Sequence, residues 1–292
     1  MDGNAYTCSN HFSGRKENES NVVVLKSGYN SDDTVLSAGK WNEFYNRQIR
    51  SEDPKEIERI YLEDNFSNVY SQLVKESGTL NNKVFLEIGC GPFILGQFLA
   101  KECKLVIGVD FSDSALEMAQ KMMKEKEIRN YLLIKSDIRK MPIKSGCVDI
   151  LYGGGVLEHF KETQSAVNEF YRVLKSGGIA FNTVPALNLG SLTYRQVWGN
   201  IPSFPVLKQL AELIHIKLLG ARHMVFGYEL SFSARELTSI HRKAGFIKVT
   251  VDKFKTKLLF NFIPGKTLKN IFIWVANNIR LFWPMYKVVA EK

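Results

Sequence analysis

The stretch 83-KVFLEIGCGPFILGQFLAKE-102 decides the fold. It begins with an apolar run typical of a buried β-strand, passes through the glycines Gly89 and Gly91, and continues as an apolar segment typical of a helix. A strand, a glycine turn and a helix in this order are how α/β proteins usually hold a nucleotide cofactor. The stretch therefore predicts a nucleotide-binding site and leaves the class of nucleotide open.

Short apolar strands alternate with segments of helical spacing downstream of this stretch. The predicted strands are 83–88, 105–110, 131–135, 148–152, 178–184, 246–254 and 285–292. The predicted helices between them are 94–102, 112–127, 161–175 and 233–246. This alternation indicates βαβ units, and therefore an α/β fold with a doubly wound, mostly parallel sheet.

Four segments lie outside this alternation. Residues 1–35 are polar and rich in Ser, Asn and Gly, which predicts a flexible N-terminus. Residues 36–80 have apolar residues near helical spacing and predict a helical prelude. Residues 185–230 and 255–284 interrupt the rhythm of strands and helices, so we expect them to be insertions into a domain that spans 81–292.

The residues around the glycines argue against a ligand held by its phosphates. The dinucleotide fingerprint needs a third glycine where Ile94 stands, and no Gly-Lys-Ser/Thr of a phosphate-binding loop follows. The strand also ends in an acid, Glu87, which is unfavourable beside a polyanion and suits a cation.

Two further acids follow the next two strands. Asp110 ends its strand 19 residues after Gly91, where a carboxylate can accept hydrogen bonds from a ribose diol. Asp137 lies just past the third strand, where it could accept from an adenine amino group. Together with Glu87, these positions predict an adenosine ligand that carries a positively charged extension.

Five segments in this order resemble class I S-adenosylmethionine-dependent methyltransferases of the small-molecule subgroup that includes ubiquinone and sterol methyltransferases. The segments are 87-EIGCGP-92, 109-VDFSDSAL-116, 136-SDIRKMPIKSGCVDILYGGGVLEHF-160, 170-FYRVLKSGGIAFNTVP-185 and 232-FSARELTSIHRKAGF-246. The resemblance is strong over 80–185 and looser over 231–292. It implies a seven-stranded Rossmann-like sheet with the last strand antiparallel, and S-adenosylmethionine as the cofactor with S-adenosylhomocysteine as the product.

The resemblance also implies roles for individual residues. Glu87 supports the methionyl ammonium group, Asp110 holds the ribose, and the 36–80 segment forms a lid over the cofactor. The remaining residues implied for the cofactor site are Gly89, Cys90, Gly91, Phe111, Asp137, Ile138, Gly153, Gly154, Trp41 and Tyr45. Helix packing is the alternative for the lid aromatics. The family often has glycine where this sequence has Phe93. The larger side chain predicts a narrower cofactor pocket.

The chemistry of such an enzyme is an in-line displacement that depends mainly on positioning and on excluding water. His159 lies where similar enzymes place a residue facing the acceptor, so we predict it as the general base. A structural cap formed by Glu158 and His159 is the alternative. For acceptor contacts within 185–230 we predict Tyr194, Arg222 and Tyr228, with solvated surface residues as the alternative.

The excess of basic over acidic residues is confined to the last fifth of the chain. Residues 241–292 hold eleven Lys or Arg against two acids and so account for the whole formal net charge of +9. The segment 255–283 combines lysines with Leu, Phe, Ile and Trp, a combination typical of a basic amphipathic element on an anionic membrane. A lid or a dimer contact is the alternative. Without an apolar signal segment, the sequence predicts a cytoplasmic protein, membrane-associated if this element binds lipid.

These observations predict methyl transfer to oxygen, nitrogen or carbon of a small-molecule or lipid-like acceptor. Nucleic acid is an unlikely acceptor, because the sequence lacks the Asn/Asp-Pro-Pro-Tyr/Phe motif of amino-group DNA methylation and the Pro-Cys nucleophile of cytosine methylation. No cysteine or histidine spacing indicates a metal site. The competing hypothesis is a cofactor-binding regulatory or partner subunit without transferase activity.

Overall fold

The computed structural model describes residues 22–24, 39–46, 58–59, 62, 66–189, 201–220, 228–254 and 265–292. Ten strands lie within these ranges. They are β1 (Val22–Val24), β2 (Val84–Ile88), β3 (Leu105–Asp110), β4 (Tyr131–Lys135), β5 (Val148–Gly154), β6 (Leu174–Pro185), β7 (Ile201–Pro202), β8 (Leu230–Ser231), β9 (Lys248–Phe254) and β10 (Met285–Glu291). β7 and β8 form a small parallel pair, and the other eight form the main sheet.

The main sheet has the strand order β1-β4-β3-β2-β5-β6-β10-β9. Every pairing is parallel except those of β10, which runs antiparallel to both β6 and β9. The predicted seven-stranded, mostly parallel sheet with an antiparallel last strand is thereby confirmed. β1 adds an eighth strand beside β4, within the segment for which the sequence predicted no strand. The order reverses between β2 and β5, which is where open α/β sheets bind ligands.

The described helices are α1 (39–46), α2 (Ser67–Ser77), α3 (Ile94–Leu99), α4 (Asp113–Glu125), α5 (Thr163–Val173), α6 (Pro205–Glu212), α7 (Ala234–Ala244) and α8 (Lys266–Asn278). Side-chain caps define two of the starts. Ser112 accepts a hydrogen bond from the Ala115 amide at 3.2 Å, and Ser233 accepts one from the Glu236 amide at 3.3 Å. Ser112 and Ser233 are the first residues of the predicted helices 112–127 and 233–246. The carboxylate of Glu236 accepts a hydrogen bond from Ser203. This contact joins α7 to the first insertion.

The sheet buries a separate core on each face because side chains alternate along a strand. Leu86 and Ile88 of β2 join the core beneath α5 and α7, whereas Phe85 joins the core beneath α2, α3 and α4. Phe170 and Leu237 are fully buried members of the first core. Helices on both faces leave the carboxyl edge of the parallel strands as the place where a ligand can enter.

Both insertions leave the sheet at this carboxyl edge. Met285 is the register partner of Pro185 in β6 and also of Phe254 in β9. The chain therefore departs into 186–229 after Pro185 and into 255–284 after Phe254, and it returns at Met285. Glycines that follow β2 and end β5 lie at the same edge, so the fold places both insertions beside the predicted cofactor site.

His241 makes stability sensitive to acid. Its side chain is fully buried in α7, where Nδ1 bonds the Leu237 carbonyl at 2.8 Å, and Nε2 has no partner among the described residues. Burial lowers the pKa of His241 to about 4. The unfolded chain therefore binds the additional proton between pH 6.5 and 4, so folding stability is lost as the pH falls through that window.

We expect this single histidine to remove about 3 kcal/mol of unfolding free energy between neutral pH and pH 4. The test is urea denaturation at several pH values for the natural protein and for His241→Asn, which keeps a donor near the Nδ1 position and cannot be protonated in this range. The variant should be less stable at pH 7 and should depend less on pH. An equal pH dependence in both proteins would contradict the assignment.

Candidate functional site

The loop after β2 reaches its shape through two glycines in the left-handed region. Gly89 has a φ of 56° and Gly91 a φ of 52°, values that other residues adopt at a cost. A Cβ at Gly89 would lie 2.5 Å from Cγ2 of Val156, and a Cβ at Gly91 would collide with the hydroxyl of Tyr45. Val156 and Tyr45 therefore pack directly against the backbone of this loop, which has no room for a side chain at either glycine.

Phe93 does not narrow the site, contrary to the expectation from the sequence. It also adopts the left-handed region, with φ 56° and ψ 39°, but its side chain is fully buried in the core beneath α3. The ring packs against the backbone of Gly96 and Gly108, where any side chain would collide with it. Phe93 thus points away from the cofactor edge, and these two glycines make room for it.

Asp110 is held in place by the backbone. Its Oδ2 accepts a hydrogen bond from the Gly91 amide at 2.9 Å, and its Oδ1 accepts one from the Ser112 amide at 2.9 Å. Burial raises the pKa of Asp110, and backbone amides including these two oppose the rise. A carboxylate offers about four acceptor positions, so Asp110 can also accept from a ribose diol.

Glu87 carries an orphaned polar atom. Its side chain is buried, and Oε2 has no hydrogen-bond partner among the described residues. Burial raises its pKa well above the usual range, the Gly96 amide opposes this, and the charge of Asp110 adds to it. A buried carboxylate oxygen without a donor fits a ligand that brings a positive charge, such as the ammonium group of S-adenosylmethionine.

A cavity of about 120 Å³ lies at the carboxyl edge, where the strand order reverses. Its lining residues are Trp41, Tyr45, Gly89, Asp110, Phe111, Gly154, Gly155, Val156, His159 and Phe160. Seven of these ten were predicted from the sequence, and the fold brings them together from four separate segments. Gly155, Val156 and Phe160 were not predicted; Gly155 and Phe160 directly adjoin predicted residues, and Val156 lies two residues after Gly154. The signal that could have found them is their place in the segment 153–160, which contains the predicted residues Gly153, Gly154 and His159.

Six predicted cofactor residues do not line the cavity. These are Glu87, Cys90, Gly91, Asp137, Ile138 and Gly153. The Cys90 sulfur lies over the Gly108 backbone, and Ile138 is buried in the core. Gly153 packs against Asn182 and Ile88, where a Cβ would lie 2.6 Å from the Asn182 Oδ1.

A fully buried ion pair engages Asp137. The Arg139 Nη2 lies 2.7 Å from the Asp137 Oδ2, and the Arg139 amide donates to the Asp137 Oδ1 at 2.8 Å. The guanidinium also lies 5.1 Å from the centre of the Phe160 ring, on the cavity wall. Arg139 therefore binds the Asp137 carboxylate, which the sequence predicted to accept from an adenine amino group. Its guanidinium also packs on Phe160, an aromatic residue of the cavity wall.

The short helix α1 contributes to the wall of the cavity. Asn42 Oδ1 accepts a hydrogen bond from the Ser112 hydroxyl at 2.7 Å, and Asn46 Oδ1 accepts one from Ser114 at 2.8 Å. These contacts join α1 to the start of α4. On its other side α1 places Trp41 and Tyr45 on the cavity wall, with their rings stacked 5.7 Å apart.

Tyr45 reaches down to the glycine loop. Its hydroxyl lies against Gly91, and its pKa is raised well above the usual range, first by burial and then by the charges of Asp110, Cys90 and Glu87. The phenol therefore stays protonated and can donate a hydrogen bond at this end of the cavity.

His159 also lines the cavity. Its Nδ1 lies 2.7 Å from the carbonyl oxygen of Tyr228, and Trp41 contacts its ring edge to face at 5.7 Å. A carbonyl only accepts, so in the neutral imidazole Nδ1 carries the hydrogen and Nε2 carries the lone pair. The arrangement suits an imidazole that accepts a proton through Nε2.

Tyr228 lies behind His159 and is fully buried, so its side chain is not on the cavity wall. Its hydroxyl donates to the Glu212 Oε1 at 2.7 Å. Lys161 lies 4.0 Å from the same oxygen and 5.2 Å from the centre of the Tyr228 ring. The first insertion thus supports His159 from behind. Tyr194 and Arg222 lie outside the described residues.

Comparison with known proteins identifies the domain. Residues 86–182, from β2 to β6, match the family described as methyltransferase domain. The chain carries an S-adenosylmethionine-dependent methyltransferase domain. Its cofactor is S-adenosylmethionine, and the match includes the glycine loop, Asp110 and His159 of this methyltransferase.

Curated relatives of the methyltransferase are distant in sequence. The demethylmenaquinone methyltransferase of Lactococcus lactis is 26% identical over 201 residues, which are 63% of this chain and 73% of that protein. The ubiquinone biosynthesis O-methyltransferase of Coxiella burnetii is 29% identical over 113 residues, which are 38% of this chain and 47% of that protein. The second match therefore spans about half of the relative's length.

Solved structures share the fold of the methyltransferase. Phosphoethanolamine N-methyltransferase 2 of Haemonchus contortus, in complex with phosphomonomethylethanolamine and S-adenosylhomocysteine, aligns with a TM-score of 0.54 at 16% identity, over 77% of this chain and 52% of that one. A putative methyltransferase of Haloferax volcanii, in complex with the Trm112 activator, aligns with a TM-score of 0.58 at 13% identity, over 87% of this chain and 96% of that one.

Proposed function

We propose that this methyltransferase acts on a small-molecule, lipid-like acceptor and that His159 is its general base. One observation carries the proposal, namely that Asp110 and His159 line the same cavity. The names of the two curated relatives, which refer to demethylmenaquinone and to ubiquinone biosynthesis, support an acceptor of this kind. The atom that receives the methyl group is oxygen, nitrogen or carbon.

The residues around the glycine loop have the chemistry that the cofactor needs. We propose that Asp110 accepts from the ribose hydroxyls and that Glu87, with its orphaned Oε2, pairs with the methionyl ammonium group. Gly89, Cys90 and Gly91 bring backbone to the cofactor. The other proposed contacts are Phe111, Asp137, Ile138, Gly153, Gly154, Trp41 and Tyr45.

When bound, S-adenosylmethionine supplies an electrophilic methyl group whose bond to sulfur breaks as the bond to the acceptor forms. Helix α1 excludes water from the reacting atoms by placing Trp41 and Tyr45 over the cavity. His159 takes the acceptor's proton through Nε2, because Tyr228 holds the Nδ1 hydrogen. Glu212 and Lys161 position Tyr228, and through it His159.

The acceptor contacts and the membrane contact remain parts of this proposal. Tyr194 and Arg222 are proposed to face the acceptor, whereas the buried Tyr228 acts as a positioning residue. The basic segment 255–283 is proposed to touch the cytoplasmic surface of a membrane, which would bring the enzyme to a lipid-like acceptor.

The test is turnover of the full-length protein with methyl-labelled S-adenosylmethionine and a lipid extract presented in vesicles. We expect S-adenosylhomocysteine to form and label to enter an extractable small molecule, with a mass gain of one methyl group. A nucleic acid sample serves as the comparison acceptor. If calorimetry shows cofactor binding but label enters only nucleic acid or no acceptor at all, the proposed acceptor class is wrong.

A further inference from the structure

Exposed apolar side chains are concentrated on the two insertions. Of the sixteen large apolar side chains exposed in the described part of the chain, all but Ile247 belong to 187–220 or 265–284. In the first segment they are Leu189, Phe204, Val206, Leu207, Leu210, Leu213, Ile214, Leu218 and Leu219. In the second they are Leu268, Ile271, Phe272, Trp274, Ile279 and Leu281. A soluble domain rarely concentrates so much exposed apolar surface without a partner.

The two segments share one edge of the molecule. Pro185, Phe254 and Met285 are in register, so both insertions emerge where the parallel strands end. Gly154 is paired with Thr183 in β6 at this same edge, and it lines the cavity. Ile247, the single exception, precedes β9 and so lies at the opposite edge. Both segments that carry the exposed apolar side chains are therefore attached to the sheet on the side of the cavity.

Helix α8 has two distinct faces. Ala276 is buried and Ile273 is partly buried, and both face the protein. Leu268, Ile271 and Trp274 point outward, and Trp274 is 61% exposed. With 13 residues the helix is about 20 Å long. No helix among the described residues is long and apolar enough to cross a bilayer. The length of α8 and its two distinct faces fit a helix that lies in the plane of a membrane interface.

The charges of both segments favour an anionic partner. The described residues of 201–220 and 265–284 include the basic residues Lys208, Lys217, Lys266, Lys269 and Arg280. Glu212 is the acid in these two ranges, and its carboxylate accepts the Tyr228 hydroxyl. Apolar side chains flanked by lysines, without free carboxylates, complement a lipid surface whose headgroups are negative.

We propose that α6 with its continuation through 213–219, together with α8 and the 279–282 turn, forms one docking surface for an anionic lipid bilayer. The apolar side chains enter the headgroup layer and the lysines contact the lipid phosphates. The cavity then opens close to the bilayer, so a lipid-like acceptor reaches His159 without crossing water. The docking extends the membrane contact proposed for 255–283 to the first insertion, and only the delivery of the acceptor to His159 rests on the proposed methyl transfer.

The test is co-sedimentation of the full-length protein with vesicles of phosphatidylcholine alone or with added phosphatidylglycerol. We expect binding to the anionic vesicles that weakens as salt increases. The variants Ile271→Ser with Trp274→Ser, and Leu207→Ser with Leu210→Ser, should each lower the vesicle affinity at least about tenfold. Lys266→Glu with Lys269→Glu should lower the affinity for anionic vesicles specifically.

Ile247→Ser is the matched control, because Ile247 is 77% exposed and lies at the opposite edge. It should leave vesicle binding unchanged. Affinity for S-adenosylhomocysteine should be the same in all variants, so that a failure of docking is distinguishable from a failure of the methyl-transfer proposal. The inference is overturned if the natural protein does not bind anionic vesicles or if Ile247→Ser weakens binding as much as the others. It is also overturned if light scattering shows that the apolar variants convert an oligomer into a monomer, since a second copy would then cover the surface.

Discussion

Replacing Asp110 by alanine is expected to raise the Kd for S-adenosylhomocysteine about 100-fold. Hydrogen bonds from ribose hydroxyls to a carboxylate contribute about 1.5–3 kcal/mol, and a tenfold change in Kd corresponds to about 1.4 kcal/mol. The substitution also releases the Gly91 and Ser112 amides, each of which donates to this carboxylate at 2.9 Å. The glycine loop then loses the anchor that holds it under the cofactor. Isothermal titration calorimetry measures the loss directly.

Two further variants separate ribose binding from loop anchoring. Asp110→Asn keeps one oxygen that can accept from the backbone but loses the charge, so its affinity should lie between those of the natural protein and Asp110→Ala. Asp113→Ala is the matched control, because Asp113 lies in the first turn of α4 with its side chain 61% exposed. It should bind S-adenosylhomocysteine normally. Normal binding by a folded Asp110→Ala protein would show that the ribose lies elsewhere.

The sequence predicts the central strands closely because they are buried on both faces. β3 and β4 begin and end at the predicted residues, and β2 differs by one residue at its start. The start of β6 was missed, since the helical pattern was extended to residue 175 whereas the strand begins at Leu174. Leu174 pairs with Val148, and the ladder is irregular up to Ile150. Because Leu174 pairs with a distant strand, the last two residues of the predicted helix are part of β6 instead.

Side-chain directions at the site were harder to predict than its residues. Phe93 follows the glycine loop, yet its ring turns into the core because Gly96 and Gly108 leave space there. Gly108 belongs to β3, so the residues next to Phe93 in the sequence do not indicate this space. The bond between His159 and the Tyr228 carbonyl likewise joins residues 69 positions apart. Composition and spacing could place Tyr228 in the insertion but could not show that its side chain faces inward.

Substitution of His159 is expected to lower kcat about 100- to 1000-fold while the Kd for S-adenosylhomocysteine stays within about threefold. A positioned general base typically contributes a factor of this order, and the proposed cofactor contacts are made by Asp110 and Glu87, not by His159. The natural enzyme should lose activity at acidic pH, because only the neutral imidazole can accept the acceptor's proton. The variants should lack this dependence. Initial rates over a range of pH, together with calorimetry, measure both effects.

Two amide replacements distinguish a base from a structural cap. The His159→Asn amide can stand near the Nδ1 position and donate to the Tyr228 carbonyl, whereas His159→Gln places its amide near Nε2 and leaves that carbonyl unbonded. If His159 is the base, both variants lose kcat to a similar extent, because neither amide accepts a proton at neutral pH. If the histidine only holds Tyr228 and the first insertion in place, His159→Asn retains most of the activity and His159→Gln does not. That second pattern would remove His159 from the chemistry and leave it a structural link between the cavity and the insertion.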